Sequence, residues 1–381
     1  MRIPNIYRSL DSKKGLIILA TLWLMVQVVL LSHFGIVTEF EAPKYINEAN
    51  RLLSTGHYST GNFLFYSVQI LLITFSKITG TFPWLVVFVQ MIANAISLVL
   101  FYKLCLAITK NHLQSFIVSL LLTVMFYYQS YNVHLFTESL YFSFGIIYSY
   151  VLFSIKKLSI KNSLLLATCL SVLYFTRPTG VFFIPSTILY LIFAFYRRQA
   201  LLLILIFSVL GIASLYLLLN FALGSGGEFD FLLPYLDERV ICGVPTISVP
   251  HNITVPTHKN SVEGLGYVIT HHTHLFLSLA TRRLIAFWGV IRPYHSFSHN
   301  VFVGLYFYAT YVLILIRFKK LVQNFLPQTI FFLCNILLVM ITVILSCDEW
   351  HNRFILALLP FLLLMACNIL RAKSKPHNQY D

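Results

Sequence analysis

Carboxylates that could accept protons stand in short polar segments between long apolar runs. Glu39 and Glu41 follow the first apolar run, and Glu138 stands where the chain enters a later one. A carboxylate held against a substrate hydroxyl can act as a general base. The same side chains could instead be solvated at a helix end or cap the helix that follows, so both interpretations stay open at this point.

Arginines occupy two other polar segments. Arg177 lies on a Pro-Gly corner, and Arg353 ends a segment that also contains Asp348, Glu349 and His351. The forked donors of a guanidinium match phosphate oxygens, so these segments predict binding of an anionic group. For Arg177 the alternative is a side chain that reaches towards lipid headgroups.

Pairs of histidines have spacings that could place two metal ligands on one helix face. They are His271 with His274, and His295 with His299. A dedicated zinc site would need a fixed framework of further ligands, and none accompanies these pairs. A divalent metal therefore stays an open alternative, and no other cofactor is indicated.

The elements that must position these residues are transmembrane helices. The 381-residue chain is 58% hydrophobic and 10% charged, against roughly 25% charged in a soluble domain. A bilayer core of about 30 Å needs roughly 20 apolar residues. We predict an all-α, polytopic transmembrane bundle of about ten spans: Gly15–Val37, Trp84–Leu106, Leu113–Tyr128, Leu140–Ile155, Leu164–Phe175, Val181–Tyr196, Leu201–Phe221, Val301–Ile316, Leu326–Ser346 and Phe354–Leu370.

Charge decides the topology, because short cytoplasmic loops collect Lys and Arg. The run Phe63–Ile78 is apolar but contains Gln69 and Lys77, and we expect it to lie in the interface. The cytoplasmic side then receives 17 Lys and Arg against two acids, and the outside has ten against eleven. We therefore expect both termini in the cytoplasm, and the Phe-, Ile- and Lys-rich composition favours a bacterial inner membrane.

Three regions follow from this topology. Residues 1–221 form an N-terminal membrane module whose first outer loop, 38–83, contains interfacial helix. Residues 222–300 form a long extracytoplasmic loop with short interfacial helices, and 301–381 contain the last spans and a cytoplasmic tail. Of the six cysteines, Cys242 and Cys347 could pair, since both lie outside and the others fall in or beside apolar runs.

The cytoplasmic loops have no nucleotide-binding motif, and the basic residues do not form the stripe that nucleic-acid binding requires. Chemistry is therefore expected outside, where a lipid-linked phosphate is the natural activated substrate. Membrane lipids and an extracytoplasmic acceptor are the other expected partners.

Scattered motifs over most of the chain resemble the GT-C superfamily, integral-membrane glycosyltransferases that use polyprenyl-phosphate sugars. Glu39-Phe40-Glu41 with Tyr45 is similar to the acidic motif after the first span of that family. The turns at 137–140 and 177–180 look like corners of its mannosyltransferase-like members, and the stretch 291–300 is also similar to that group. Arg353-Phe354 with Pro360 resembles the opening of its last helix.

The resemblance implies an inverting transfer of a sugar to a glycan, lipid or protein acceptor. In that scheme Glu41 is the base or acceptor-positioning group, with Glu39 beside it. Glu138, Tyr45 and His351 contact substrate. The lipid phosphate is held by Arg177, Arg292 and Arg353.

Two other classes remain open. A transporter or flippase of lipid-linked sugars would carry similar outward charges, although it needs polar groups near the middle of several spans. A structural membrane subunit would have dispensable outer charges. A glycosidase needs two carboxylates that flank the bond, one of them a proton donor, and the cationic turns favour transfer over hydrolysis.

Overall fold

All helices and turns that the computed structural model describes lie in residues 12–223, 232–256 and 260–367, and within these ranges there is no β-strand beyond isolated bridges. The α-helices are α1 (Ser12–Phe34), α2 (Ala42–Thr55), α3 (Ser67–Ile78), α4 (Trp84–Thr109), α5 (His112–Val124), α6 (Phe126–Gln129), α7 (Glu138–Ser154), α8 (Ile160–Thr176), α9 (Phe183–Phe195), α10 (Ala200–Leu223), α11 (Leu233–Leu236), α12 (Ser261–His271), α13 (Thr273–Gly289), α14 (Phe297–Asn324), α15 (Leu326–Leu345) and α16 (Arg353–Ala366). The all-α prediction is confirmed for this part of the chain.

Seven described helices are long and apolar enough to cross a membrane, as expected of a multi-pass membrane protein. They are α1, α4, α14, α15 and the three helical stretches Gly61–Ile78, Pro178–Phe195 and Arg197–Ser214, each of which begins with a 3-10 turn. Counting the bent pair His112–Val124 and Phe126–Val133, which meet at 64°, as one span gives eight. The predicted ten are not confirmed. Helices α7 and α8 have 17 residues each and α16 has 14, below the roughly 20 that a straight crossing needs.

The segment between α1 and α4 begins and ends at the same end of the bundle, and its helices α2 and α3 pack into the main core. The backbone N–H of Val37 donates to Val133 O at 2.9 Å, just after α1. The side-chain amide of Gln90, near the start of α4, donates to His134 O at 2.8 Å. Because both contacts are with one short segment, residues 38–83 begin and end beside each other.

The described part of residues 232–300 contains helices α11, α12 and α13, which is more helix than we predicted for this loop. Tyr235, Ile253, Val268 and Leu279 form a small apolar cluster of their own. Residues 224–231 at the start of this region, together with residues 1–11 and 368–381 at the chain ends and the charges they carry, lie outside the described residues.

Arg283 joins that cluster to the bundle. Its fully buried guanidinium donates to the carbonyls of Arg239 (2.9 Å), Pro234 (2.9 Å) and Ile344 (3.0 Å), and it lies 5.0 Å from the ring centroid of Tyr235. A buried carbonyl without a donor costs about 1 to 3 kcal/mol. Arg283 is therefore a structural link between the outer segment and α15.

Arg283→Ala should lower the free energy of unfolding by about 3 kcal/mol or more, because three carbonyls lose their donor. The readout is the thermal melting midpoint of the purified protein in detergent. The adjacent Arg282, whose side chain is 42% exposed and pairs with Glu238, is the matched control, since a surface ion pair contributes at most about 1 kcal/mol. Equal midpoints for Arg283→Ala and Arg282→Ala would contradict the structural link.

Candidate functional site

One guanidinium connects three carboxylates from distant parts of the chain. Arg353 donates from Nη1 to Glu138 Oε1 at 3.0 Å. From Nη2 it donates to Glu41 Oε1 and to Glu349 Oε2, each at 2.8 Å. The Arg353 side chain is 9% exposed, so these carboxylates replace most of its water.

A second arginine shares the central carboxylate. Arg177 Nη1 donates to the same Oε1 of Glu138 that receives Arg353. Glu138 is fully buried and lies ahead of the apolar part of α7. Burial alone would raise the pKa of Glu138, but Arg177 and Arg353 outweigh it and lower that pKa to about 2. Glu138 is therefore an ionised anchor between two cations. We name the group Glu41, Glu138, Arg177, Glu349 and Arg353 the charge network.

Three members of the charge network stand at helix ends for local reasons. Glu41 precedes the first residue of α2, and Glu138 opens α7, where free backbone N–H groups favour a carboxylate. Arg177 ends α8 in an extended conformation, because the following proline disfavours a helical residue before it. A side chain at Gly180 would place its Cβ 2.3 Å from Leu173 O, so only glycine allows this tight turn.

The segment Cys347–Arg353 is fixed by several contacts on one side. Cys347 forms a disulfide with Cys242, and Cys242 N donates to Asp348 O at 2.8 Å. Asp348 pairs with Arg292 in a site where both side chains are almost fully buried. These contacts hold the backbone that presents the two charge-network residues of the turn.

Two residues of this turn have an unusual backbone conformation. His351 and Asn352 both have left-handed φ angles, of 56° and 58°, which non-glycine residues rarely adopt and which tend to mark functional sites. The Asn352 side chain donates to Val290 O at 2.8 Å. This hydrogen bond helps to hold the strained turn immediately before Arg353.

Asp348 stays charged at neutral pH. Burial raises the pKa of Asp348 to about 6, against the opposing attraction of Arg292 and a hydrogen bond from the Glu349 N–H. Above about pH 6 the Arg292–Asp348 pair is therefore ionic. As the pH falls below the pKa of Asp348, this carboxylate is protonated and Arg292 loses its anionic partner.

Of the predicted site residues, the structure brings four into the charge network: Glu41, Glu138, Arg177 and Arg353. Tyr45 lies beside them, with its hydroxyl 3.5 Å from Glu41 Oε2.

The other predicted residues lie elsewhere. Glu39 is exposed and belongs to none of the ion pairs found among the described residues. Arg292, expected to hold phosphate, is occupied by Asp348 and by the carbonyl of Ala286. His351 points to a group of aromatic rings, with its ring centroid 5.4 Å from that of His295.

Several residues that build the site were missed from the sequence. Glu349 binds Arg353 across the turn between them, and two opposite charges four residues apart in one short segment were the available signal. The amides of Gln27, Gln129 and Asn132 form a buried hydrogen-bonded group, and Asn132 accepts a bond from Ser139 at 2.6 Å. This group fixes the segment that ends at Glu138, and nothing in the spacing of these polar residues indicates it.

Within residues 12–223, 232–256 and 260–367, no three or more His, Cys, Asp or Glu side chains are arranged to hold a metal ion. Comparison of the chain with known protein families, with curated proteins and with solved structures gave no significant match.

Glu138→Gln should reduce the free energy of unfolding by about 3 to 5 kcal/mol, because it leaves Arg177 and Arg353 buried without their shared anion. Thermal melting and the yield of folded protein in detergent measure this. Glu39→Gln, an exposed carboxylate in the same chain, should melt like the unaltered protein. A Glu138→Gln midpoint within a degree of the unaltered protein would show that the two arginines do not depend on this carboxylate.

Proposed function

We propose that the chain is a membrane glycosyltransferase that moves a sugar from a polyprenyl-phosphate donor to an extracytoplasmic acceptor, with inversion at the anomeric carbon. The observation that supports it most is the charge network. It joins carboxylates and guanidiniums from four helix ends at one place, which is the combination that a phosphate leaving group and an acceptor hydroxyl both require.

Charge balance suggests how a phosphate would enter. Three carboxylates and two guanidiniums leave the charge network one negative charge in excess, so an anionic donor must displace a carboxylate from Arg353. Glu138 is fully buried and shared by two arginines, whereas Glu41 is 35% exposed. Glu41 is therefore the partner that can leave Arg353 at the lowest cost.

This displacement couples donor binding to catalysis. While Arg353 donates to Oε1 of Glu41, that oxygen is not available to an acceptor hydroxyl. When the donor phosphate takes its place on Arg353, Glu41 becomes free to accept a proton. Lys44, three residues further on, lies with its ammonium 4.9 Å from the ring centroid of Tyr66 and would add a third cation near the charge network.

The acceptor oxygen forms a bond to the anomeric carbon, and its proton passes to Glu41. The bond from that carbon to the phosphate oxygen breaks, and its electron pair stays on the phosphate, where Arg353 and Arg177 stabilise the added charge.

The function is tested by incubating the purified protein with radiolabelled polyprenyl-phosphate sugars and candidate acceptors. Glu41→Gln should lower turnover by about 10² to 10⁴-fold, because it keeps the shape and removes the base. Folding should be preserved, since Glu41 is partly exposed and Arg353 keeps two other carboxylates.

Glu39→Gln is the matched control and should retain normal turnover. Loss of transfer in Glu39→Gln with near-normal turnover in Glu41→Gln would reverse the two roles. Movement of intact lipid-linked sugar across vesicles, without transfer to any acceptor, would instead identify a flippase.

We further propose that the charge network faces outward and that both termini are cytoplasmic, in a bacterial inner membrane. The partition of Lys and Arg supports this, as does the return of residues 38–83 to one end of the bundle. Cysteines placed at 156, 197 and 319 should react only with membrane-permeant reagents in intact cells, whereas cysteines at 39 and 57 should react with impermeant ones. Labelling of residue 156 by an impermeant reagent would overturn the orientation.

A further inference from the structure

Six aromatic rings lie together beside the charge network. Tyr294 is 4.7 Å from His295 and 4.6 Å from Trp350, measured between ring centroids. His295 stacks on His299 at 3.8 Å with an interplanar angle of 13°. His299 in turn lies 3.9 Å from Tyr127, and His351 stacks on His295. We call these six residues the ring platform.

The ring platform is continuous with the charge network. Trp350 and His351 are the residues between Glu349 and Asn352, so they stand one and two positions after one charge-network carboxylate and just before Arg353. Tyr294 and His351 are exposed, and the other four rings are half-buried. A ligand on these rings would therefore lie next to the carboxylates.

The histidines offer neutral hydrogen-bonding groups. Burial, followed by the neighbouring His299, His351 and Arg292, lowers the pKa of His295 to about 4. His295 is thus neutral at pH 7, and a neutral imidazole provides one donor and one acceptor. Nε2 of His295 is buried and has no hydrogen-bond partner among the described residues, which is costly unless a ligand or water satisfies it.

The backbone supports a role in binding. His351 is held with a left-handed φ by a turn that is fixed through the disulfide, the Arg292–Asp348 pair and Asn352. Strain of this kind persists only where the surroundings determine it, and it is concentrated at ligand sites.

The combination of groups fits a sugar ring. A pyranose has an apolar face of C–H groups, which packs on an aromatic ring, and an edge of hydroxyls, which needs both donors and acceptors. Lipid chains would gain nothing from imidazole nitrogens, and a lipid-facing aromatic belt is built of Trp and Tyr.

We infer that the ring platform binds a sugar residue of the acceptor, so that the acceptor is a carbohydrate whose hydroxyl is directed at the charge network. This inference rests on the proposed transferase function for the ligand's role as acceptor. Trp350 and Tyr294 would hold the apolar face of the sugar, and the histidines its hydroxyls.

The test is saturation-transfer NMR on the full chain in phospholipid nanodiscs, which avoids sugar-based detergents. The probes are methyl α- and β-glycosides of glucose, mannose, galactose and N-acetylglucosamine, without any donor. At least one glycoside should show saturation transfer to its ring protons. Trp350→Ala should raise the Kd for that glycoside about tenfold, in keeping with the loss of one aromatic contact of about 1.4 kcal/mol.

Two further variants serve as controls for misfolding and for non-specific contact. Trp350→Phe keeps a ring and should largely retain binding. Phe297→Ala removes an 84% exposed ring from the start of α14 and should leave the Kd unchanged. The proposal that the ring platform binds sugar would be overturned if no glycoside showed saturation transfer with the unaltered chain. An equal Kd in the Trp350→Ala and Phe297→Ala proteins would also overturn it.

Because no donor is present, this result is independent of the transfer assay. Glycoside binding without any sugar transfer would reject the transferase and, with it, the acceptor role, while leaving a carbohydrate site. Sugar transfer without glycoside binding would reject only the proposal that the ring platform binds the acceptor.

Discussion

The burial of the Arg353 guanidinium is the constraint on which the arrangement of the helix ends depends. Removing a cation from water costs several kcal/mol unless anions replace the lost hydration. Arg353 finds its anions 312 and 215 residues away, at Glu41 and Glu138. The start of α2, the start of α7 and the start of α16 must therefore meet, and Arg177 adds the end of α8 to the same place.

The partners of Arg353 differ in how firmly they are held. Glu138 is buried and shared by two arginines, and its neighbour Ser139 is bonded to the buried side-chain amide of Asn132. Glu41 and Glu349 remain partly exposed. The turn that carries Glu349 is fastened from the opposite side by Cys242 and Arg292. A rigid centre with movable outer partners is the arrangement that an exchange of a carboxylate for a phosphate would need.

Sequence reasoning reached the helical class and four members of the charge network, because acids and arginines between apolar runs are conspicuous and the charge partition put them on one side. It expected Arg292 to hold phosphate and did not foresee its pairing with the buried Asp348, because a sequence shows a cation but not its partner. It overlooked Gln27 and Asn132, because uncharged amides in apolar runs give no periodic signal. The number of spans was not recovered either: α7, α8 and α16 are apolar but shorter than a full crossing, and composition alone does not measure the length of a helix between its ends.

The sharing of Glu138 by two arginines also bears on how this protein can change over generations. Losing Glu138 alone removes the ion-pair partner of Arg177, and losing either arginine alone leaves the buried Glu138 with one cation instead of two. Each single step is therefore harmful even where a joint replacement would be tolerated. The effects of such substitutions are far from additive, as is usual for residues in direct contact. Descendants of this chain should therefore keep the three together or lose them together, and a lineage that has replaced one of them should carry compensating changes at the other two.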